Sequence, residues 1–359
     1  MSSQFRYSIA GCGMMGREHM RNVALVPGAR LVGICDPDEG SREAARVLAE
    51  ELGQAPEFFS DCGAMLDTAK PDAVIIASPN MTHFDVVRQV MAAGPAILLE
   101  KPMCTNLADA RALHAMAANY PAPIWVGLEY RFMPPVARFI ERVHAGETGP
   151  VKMASIREHR FPFLEKVGDW NRFNRNSGGT LVEKCCHFFD LMRHILQDEP
   201  RRIYASGAQD VNHLDERYDG EVPDIIDNAV VVVDFVRGAR AVLDLCMFAE
   251  GSEQQEDIYA LGPAGKLEVA LPRASVIWSP RDRSGPVAEP VATPAEALAA
   301  GDHWGATYYQ LCAFHDCLAS GKAPQIGTLD GLRSVQMGVA AQESMASGQA
   351  VELDFGKDA

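Results

Sequence analysis

The chain has no long apolar run. The longest stretches are five residues, as in Ala229–Val233, whereas a membrane-spanning helix needs about 20, so no membrane association is expected. No Cys-x-x-Cys spacing occurs among the nine cysteines, and Cys185 and Cys186 are adjacent, which suits neither a mutual disulfide nor a zinc knuckle. Free thiols, and with them a reducing, cytoplasmic compartment, are the expectation. Positive charge is scarce. The 33 Lys and Arg face 48 Asp and Glu, a formal net charge of −15, which argues against nucleic acid or an anionic membrane as a partner. Internal repeats and low-complexity segments are absent, and Met1–Phe5 runs straight into the first expected strand, so no signal peptide is expected. What is present is an ordinary globular composition, 47% hydrophobic and 23% charged over 359 residues, enough for two domains and a sizeable core.

The most informative stretch is the opening. The run from Phe5 to Ala10 reads as a buried strand and Arg17 to Leu25 as a helix, with Gly11, Gly13 and Gly16 between them in G-x-G-x-x-G spacing. The three glycines serve different ends. Gly11 allows a tight turn, Gly13 lets a pyrophosphate approach the backbone, and Gly16 permits close helix–strand packing. The helix N-terminus offers free N–H groups and the positive end of its dipole to phosphate. A second strand, Leu31–Cys35, ends at Asp36, where an acid can hold the adenosine ribose diol.

Strand and helix then alternate. Helices are expected at Ser41–Leu52, Cys62–Ala69, Phe84–Ala93 and Leu107–Asn119, and strands at Asp72–Ala77, Ala96–Leu99 and Ile124–Gly127. That alternation predicts an α/β fold with a doubly wound parallel sheet, and such sheets bind ligands beyond the carboxyl ends of their strands. Asp36, Ser78, Glu100, Lys101 and Glu129 all fall at strand ends, which makes them site candidates. Lys101, between a buried strand and Pro102, reads by residue type alone as a surface lysine at a strand end; the functional reading is a lysine near a nicotinamide, hydrogen-bonded to a substrate hydroxyl.

In the second half, Val136–His144 reads as a helix, Val151–Ile156 as a strand, and Phe161–Asn176 as a long loop carrying Trp170 and Arg172; long loops in compact domains are often functional. Ser177-Gly178-Gly179 opens an expected helix from Leu181 to His194, on which Glu183 and His187 stand four apart and so share a face. A carboxylate one turn before an imidazole can orient it and raise its basicity; a metal half-site is the competing use of such a pair, but no third ligand is evident and no metal is expected. The rest reads as antiparallel sheet, with hairpins over 228–248 and 255–270, a loop-rich stretch from Pro272 to Gly301 containing five prolines, and closing helices Trp304–Ala319 and Leu329–Gly348.

These motifs resemble the Gfo/Idh/MocA family of NAD(P)-dependent oxidoreductases. The resemblance rests on the fingerprint Gly11–Gly16, on Ser78-Pro79-Asn80 with His83, and most specifically on Glu100-Lys101-Pro102. It implies an N-terminal Rossmann domain, taken as residues 1–127, and a C-terminal α/β domain with an open, mainly antiparallel sheet, taken as 128–359. It also implies Lys101 as a catalytic residue touching the substrate hydroxyl, with His187 and Glu183 as its partners in catalysis. Glu183, His187 and Asp190 match an Asp-x-x-x-His pair and a following Asp, with Glu in place of Asp and Cys185 in place of the usual glycine. Arg131 matches an Asn-x-Arg stretch from which Glu129 departs. Cofactor contacts are expected from Gly11, Gly13, Met14, Met15, Gly16, Asp36, Ser78, Pro79, Asn80, His83, Glu100, Lys101 and Glu129, and substrate contacts from Lys101, His159, Trp170, Arg172, Glu183 and His187. The cofactor is expected to be NAD, with NADP the alternative if Arg17 or Arg42 reaches a 2′-phosphate. The substrate is expected to be a sugar, cyclitol or related polyhydroxylated molecule, and the assembly a homodimer or homotetramer through the C-terminal sheet. Two other readings stay open at this stage: glycoside hydrolysis through transient oxidation, and a non-catalytic cofactor or sugar sensor.

Overall fold

The computed structural model describes residues 4–301 and 303–355. In chain order its first elements are β1 (Phe5–Ala10), α1 (Met14–Leu25), β2 (Ala29–Cys35), α2 (Glu39–Glu51), β3 (Glu57–Phe59), α3 (Cys62–Ala69), β4 (Ala73–Ile76), α4 (His83–Ala93), β5 (Ala96–Leu99), α5 (Leu107–Ala117), β6 (Ile124–Val126) and α6 (Pro134–His144). There follow β7 (Met153–His159), α7 (Asn174–Ser177), α8 (Thr180–Glu183), α9 (Cys186–Leu196), β8 (Pro200–Ala208), β9 (Asn228–Phe235), β10 (Arg240–Cys246), β11 (Glu256–Leu261), β12 (Gly265–Leu271), β13 (Ser275–Pro280) and β14 (Val287–Pro290). The chain closes with α10 (Ala295–Ala300), α11 (Ala306–Ser320), α12 (Thr328–Ser347) and β15 (Val351–Glu352).

Two compact units result. The first comprises 1–132, 166–170 and 293–335. Its sheet has the order β3-β2-β1-β4-β5-β6, with every pairing parallel. Every residue of β4 and β5 is buried, as a strand covered by helices on both faces requires. The order reverses between β1 and β4, which is the place where such sheets take a ligand.

The first unit differs from the linear division at 127/128 because it recruits the stretch containing α11. Phe314 of α11 is fully buried, and its ring meets those of Tyr7 and Trp125 edge-on at 6.3 and 6.1 Å. The Ile326 carbonyl accepts from the Val126 N–H at 3.1 Å. The apolar face of α11 is thus spent on the parallel sheet.

The second unit comprises 133–165, 171–292 and 336–359. Its nine-stranded sheet runs β14-β13-β12-β11-β7-β10-β9-β8-β15; β7 and β10 pair parallel and the other pairs are antiparallel. Alternation is strict in β9, where Ala229, Val231 and Val233 are buried and Val230 and Val232 exposed, so one face of this sheet is open. The stretch Pro272–Gly301 is more ordered than its prolines imply: it holds β13, β14 and α10, with Pro280 and Pro290 at strand ends, where a missing N–H is tolerated.

Phe314→Ala leaves a large void between α11 and the parallel sheet. It should lower the unfolding free energy by about 3–5 kcal/mol, read from denaturant melts; a loss near zero would show that α11 does not hold the first unit together.

Candidate active site

The glycine loop is built as three distinct steric problems. Gly11 has φ +92°, and a Cβ there would lie 2.5 Å from the Ser78 nitrogen; the end of β4 passes too close for a side chain. At Gly16 a Cβ would sit 2.0 Å from the Gly11 carbonyl oxygen, so α1 approaches β1 only because nothing is there. Gly13 is the opposite case. It caps α1, and a Cβ would meet no protein atom within 4 Å. The space beside the helix N-terminus, with Met14 and Met15 forming its first turn, is thus open to a phosphate. Cys12 N–H and Asp38 N–H donate to the two Asp36 carboxylate oxygens at 2.8 and 2.9 Å, which fixes this acid beside the loop. The Arg42 guanidinium donates to the Asp36 and Pro37 carbonyls at 2.6 and 2.9 Å, and Arg17 to the Cys12 carbonyl at 3.0 Å. These residues fit NAD: an open backbone approach for the pyrophosphate and an acid for the ribose diol.

At the next strand ends the placements are more structural. Thr82 donates to the Ser78 hydroxyl at 2.8 Å, and Pro79 and the buried Asn80 start the turn that leads into α4. His83 is fully buried, with Nδ1 2.8 Å from the Pro102 carbonyl and Nε2 3.0 Å from the Ser78 carbonyl. Burial pushes its pKa down, and a neutral ring donates to one carbonyl at a time. His83 therefore bridges the Ser78 turn to the Lys101–Pro102 turn, with both ring nitrogens on protein carbonyls.

Glu100 is likewise turned inward. His19 Nε2 donates to its Oε1 at 2.7 Å and the Lys101 N–H to its Oε2 at 3.2 Å. Burial acts to raise its pKa, but the hydrogen bond and charge of His19, then Lys101, outweigh it, and the net direction is down. The Glu100 carboxylate thus holds the Lys101 backbone from one side while His83 holds Pro102 from the other, and the Lys101 side chain is half-buried at the carboxyl end of β5. Glu129, on the turn after β6, is buried, and its pKa is pushed up to about 8 by burial and then by Glu100.

The second unit carries Glu183 and His187, both buried. They do not stand on one continuous helix. The Thr180 carbonyl accepts from both the Lys184 and the Cys185 N–H, at 3.0 and 3.2 Å, and a widened turn separates α8 from α9. The i, i+4 reading is corrected accordingly; widened turns of this kind recur at functional sites. Gly178 and Gly179 both have φ +84°, and a Cβ on Gly179 would press on the Gln342 and Asn174 side chains at 2.5 and 2.7 Å.

At the widened turn, Lys184 Nζ lies 2.8 Å from Glu158 Oε1, with Arg160 Nη1 3.3 Å from the same oxygen. Burial lowers the Lys184 pKa, against the pull of Glu158. Glu256, opposite Glu158 across β7 and β11, is pushed up to about 7 by burial and by Glu158. This buried charge cluster escaped the sequence reading. Its only local signal was a lysine between two candidate site residues.

His159 is placed elsewhere. It follows Glu158 on β7, so it points to the opposite face of the sheet, where its Nε2 lies 3.3 Å from Asp244 Oδ1. Arg172 is buried, donating to Glu216 at 3.2 Å and to the Phe163 carbonyl at 3.4 Å, so its guanidinium anchors the loop. Trp170 is half-buried and belongs to the first unit.

Strand order and glycine geometry make the first unit a dinucleotide-binding Rossmann unit. Residues 5–128 match the oxidoreductase family with an NAD-binding Rossmann fold, and residues 140–353 match that family's C-terminal alpha/beta domain. The chain belongs to this family, and its Rossmann unit is NAD-binding. It is similar to scyllo-inositol 2-dehydrogenase (NAD(+)) of Bacillus subtilis, 28% identical over 361 residues covering 99% of this chain and 98% of that protein. It is also similar to myo-inositol 2-dehydrogenase of Thermotoga maritima, 26% identical over 97% of this chain and 98% of the other. A crystal structure of an oxidoreductase domain protein from Kribbella flavida shares the fold, with a TM-score of 0.86 and 22% identity over 99% of this chain and 100% of that one.

Gly13→Val should weaken NAD binding at least about tenfold while leaving the thermal melt nearly unchanged, because its side chain enters only the space left for the pyrophosphate. Gly16→Ala should instead lower the melting temperature. Equal effects of the two on binding and on stability would show that the loop has been assigned wrongly.

Proposed function

We propose that this protein oxidises a secondary hydroxyl of a cyclitol or sugar, with NAD as hydride acceptor. The observation that carries the reading is the Lys101 turn, clamped between Glu100 and His83 at the carboxyl end of β5 in the same sheet as the open glycine loop. Membership of the oxidoreductase family and similarity to two inositol dehydrogenases support the substrate class.

Bound NAD supplies the hydride acceptor; the protein must supply the proton chemistry. A base has to take the hydroxyl proton as the carbon gives up hydride. His187 is assigned that role, since an imidazole ordinarily titrates near about 6.5. Lys101 is assigned the hydrogen-bond donor that stabilises developing alkoxide. Glu183 orients the imidazole or holds a neighbouring substrate hydroxyl. The exchange of roles, with deprotonated Lys101 as the base, is the variant that a pH profile of each substitution distinguishes. The exposed Tyr204, Val230 and Val232 on the open sheet face support a homo-oligomer formed through that face, which sedimentation velocity measures.

His187→Ala and Lys101→Ala should each lower kcat by about 10²–10⁴-fold, with NAD affinity changing much less in His187→Ala. The assay is NADH absorbance across a panel of inositols and sugars, and near-normal turnover by His187→Ala would sink its assignment. NAD should exceed NADP at least about tenfold in kcat/KM, because Asp36 repels a 2′-phosphate and Arg42 is engaged by main-chain carbonyls.

A further inference from the structure

Lys184 stands in the chain between Glu183 and His187, and stability alone gives no reason for a buried amine there. The side chains of Lys184 and Glu158 keep 4% and 0% of their surface, so both charges have left water, and the desolvation of two ions offsets most of what their attraction returns. An apolar pair of similar volume would hold the helix against β7 at least as well. What an apolar pair cannot do is fix one atom at one point. Lys184 Nζ lies 2.8 Å from Glu158 Oε1, and Arg160 Nη1 reaches the same oxygen at 3.3 Å. The acid is itself on a rigid support. β7 lies inside the nine-stranded sheet, Glu158 is in register with Glu256 of β11, and the His159 N–H donates to the Gln255 carbonyl at 2.9 Å.

The backbone leaves the regular helix at the same residue. The Cys185 N–H reaches the Thr180 carbonyl, five residues back, at 3.2 Å, while the Lys184 N–H donates to that carbonyl at 3.0 Å. A bond one residue longer than the α-helical one marks a π-type turn. Both sides of the turn are pinned. Before it, the Glu183 N–H donates to the Gly179 carbonyl at 2.8 Å and the Thr180 hydroxyl to the Ile226 carbonyl at 2.6 Å. After it, the Phe189 N–H donates to the Cys185 carbonyl at 3.0 Å. One extra residue in a turn rotates everything beyond it by about 100° about the helix axis, so the direction of His187 relative to Glu183 is decided at Lys184.

We propose that Lys184, anchored on Glu158, is a positioning residue: the ion pair holds the turn in its widened form and so sets the direction in which Glu183 and His187 present carboxylate and imidazole to the substrate. The proposal rests on the assignment of those two residues under the proposed function. Buried as it is, Lys184 acts through the backbone that it holds.

The double variant E158Q/K184M removes both charges together, so neither is left stranded in the interior, and the new amide oxygen can still accept from Arg160. Its melting temperature should stay within about 4 °C of the unsubstituted protein. NAD affinity should change by less than about threefold, since the glycine loop belongs to the other unit. In contrast, kcat should fall at least about tenfold, because a misplacement of about 1 Å costs up to about 10²-fold. A double variant that melts lower yet keeps kcat per folded molecule overturns the proposal, since the pair then serves stability alone. If the double variant does not fold, E158D decides. It keeps the charge but draws the carboxylate back by one methylene, and kcat should fall at least about threefold; an unchanged kcat overturns the proposal. Should the unsubstituted enzyme oxidise no polyol, the function reading fails, and spectra of protein carrying 15N-labelled histidine still judge Lys184. The imidazole signal that His187→Gln removes must move in E158Q/K184M or, failing that, in E158D; a signal that stays in place overturns the proposal.

Discussion

One buried carboxylate ties the first unit together. Glu100 is almost wholly removed from water, and a buried charge is tolerable only when paired and hydrogen-bonded. Its partners are His19, in the middle of α1, and the main chain of Lys101. The helix that presents its N-terminus beside the glycine loop is therefore linked through a single side chain to the turn that carries the lysine. Gly16 lets α1 come close enough for that contact, since any Cβ there would strike the Gly11 carbonyl. His83 completes the clamp from the other side. The Glu-Lys-Pro triplet then has a physical reading. The glutamate holds the backbone in register, the proline carbonyl takes the histidine, and the lysine between them keeps its side chain half-exposed.

The second unit meets the same requirement with different residues. Glu158 has no exposed surface, and Lys184 and Arg160 both turn to it. Lys184 lies where the regular helical ladder widens, so its ion pair and the displaced turn occur at one place in the chain. Such a pair contributes little net stability, because desolvation of both ions offsets most of their attraction. Its use is geometric. With Lys184 drawn toward β7, the flanking Glu183 and the His187 of α9 take positions that an uninterrupted helix would not give them.

Much of the first unit was legible because its signals are local. The alternation of short apolar runs with amphipathic stretches located nearly every strand and helix, and the spacing of the three glycines pointed to the steric part that each plays in the structure. Asp36 could be placed at the end of β2 because the rest of α1, one turn and one strand separate it from Gly16. Residues whose role depends on a partner far along the chain were not legible in the same way. His83 was grouped with cofactor contacts by its motif, yet its partners are carbonyls of two turns. His159 lay at a strand end and looked available, but one step of pleat sends it to the face opposite Glu158. The helix expected from Leu181 to His194 has unbroken helical character in its residue types, and nothing in them announces that Lys184 will be pulled aside by an acid 26 positions earlier.

The prolines between Pro272 and Gly301 misled for a related reason. Proline excludes the interior of a sheet and permits its margins. β13 and β14 are the outermost strands on their side, and Pro280 and Pro290 sit at their ends. Composition registers that the N–H groups are missing; only topology says whether a neighbour needed them. The same distinction governs the charged groups. A lysine, glutamate or histidine at a strand end is visible in the sequence, but whether it is spent on the scaffold or left to act depends on what the fold brings to it. In this chain the acids at strand ends are largely spent on the scaffold, and that is why the lysine among them is held in place by its backbone while its side chain reaches the carboxyl edge of the sheet.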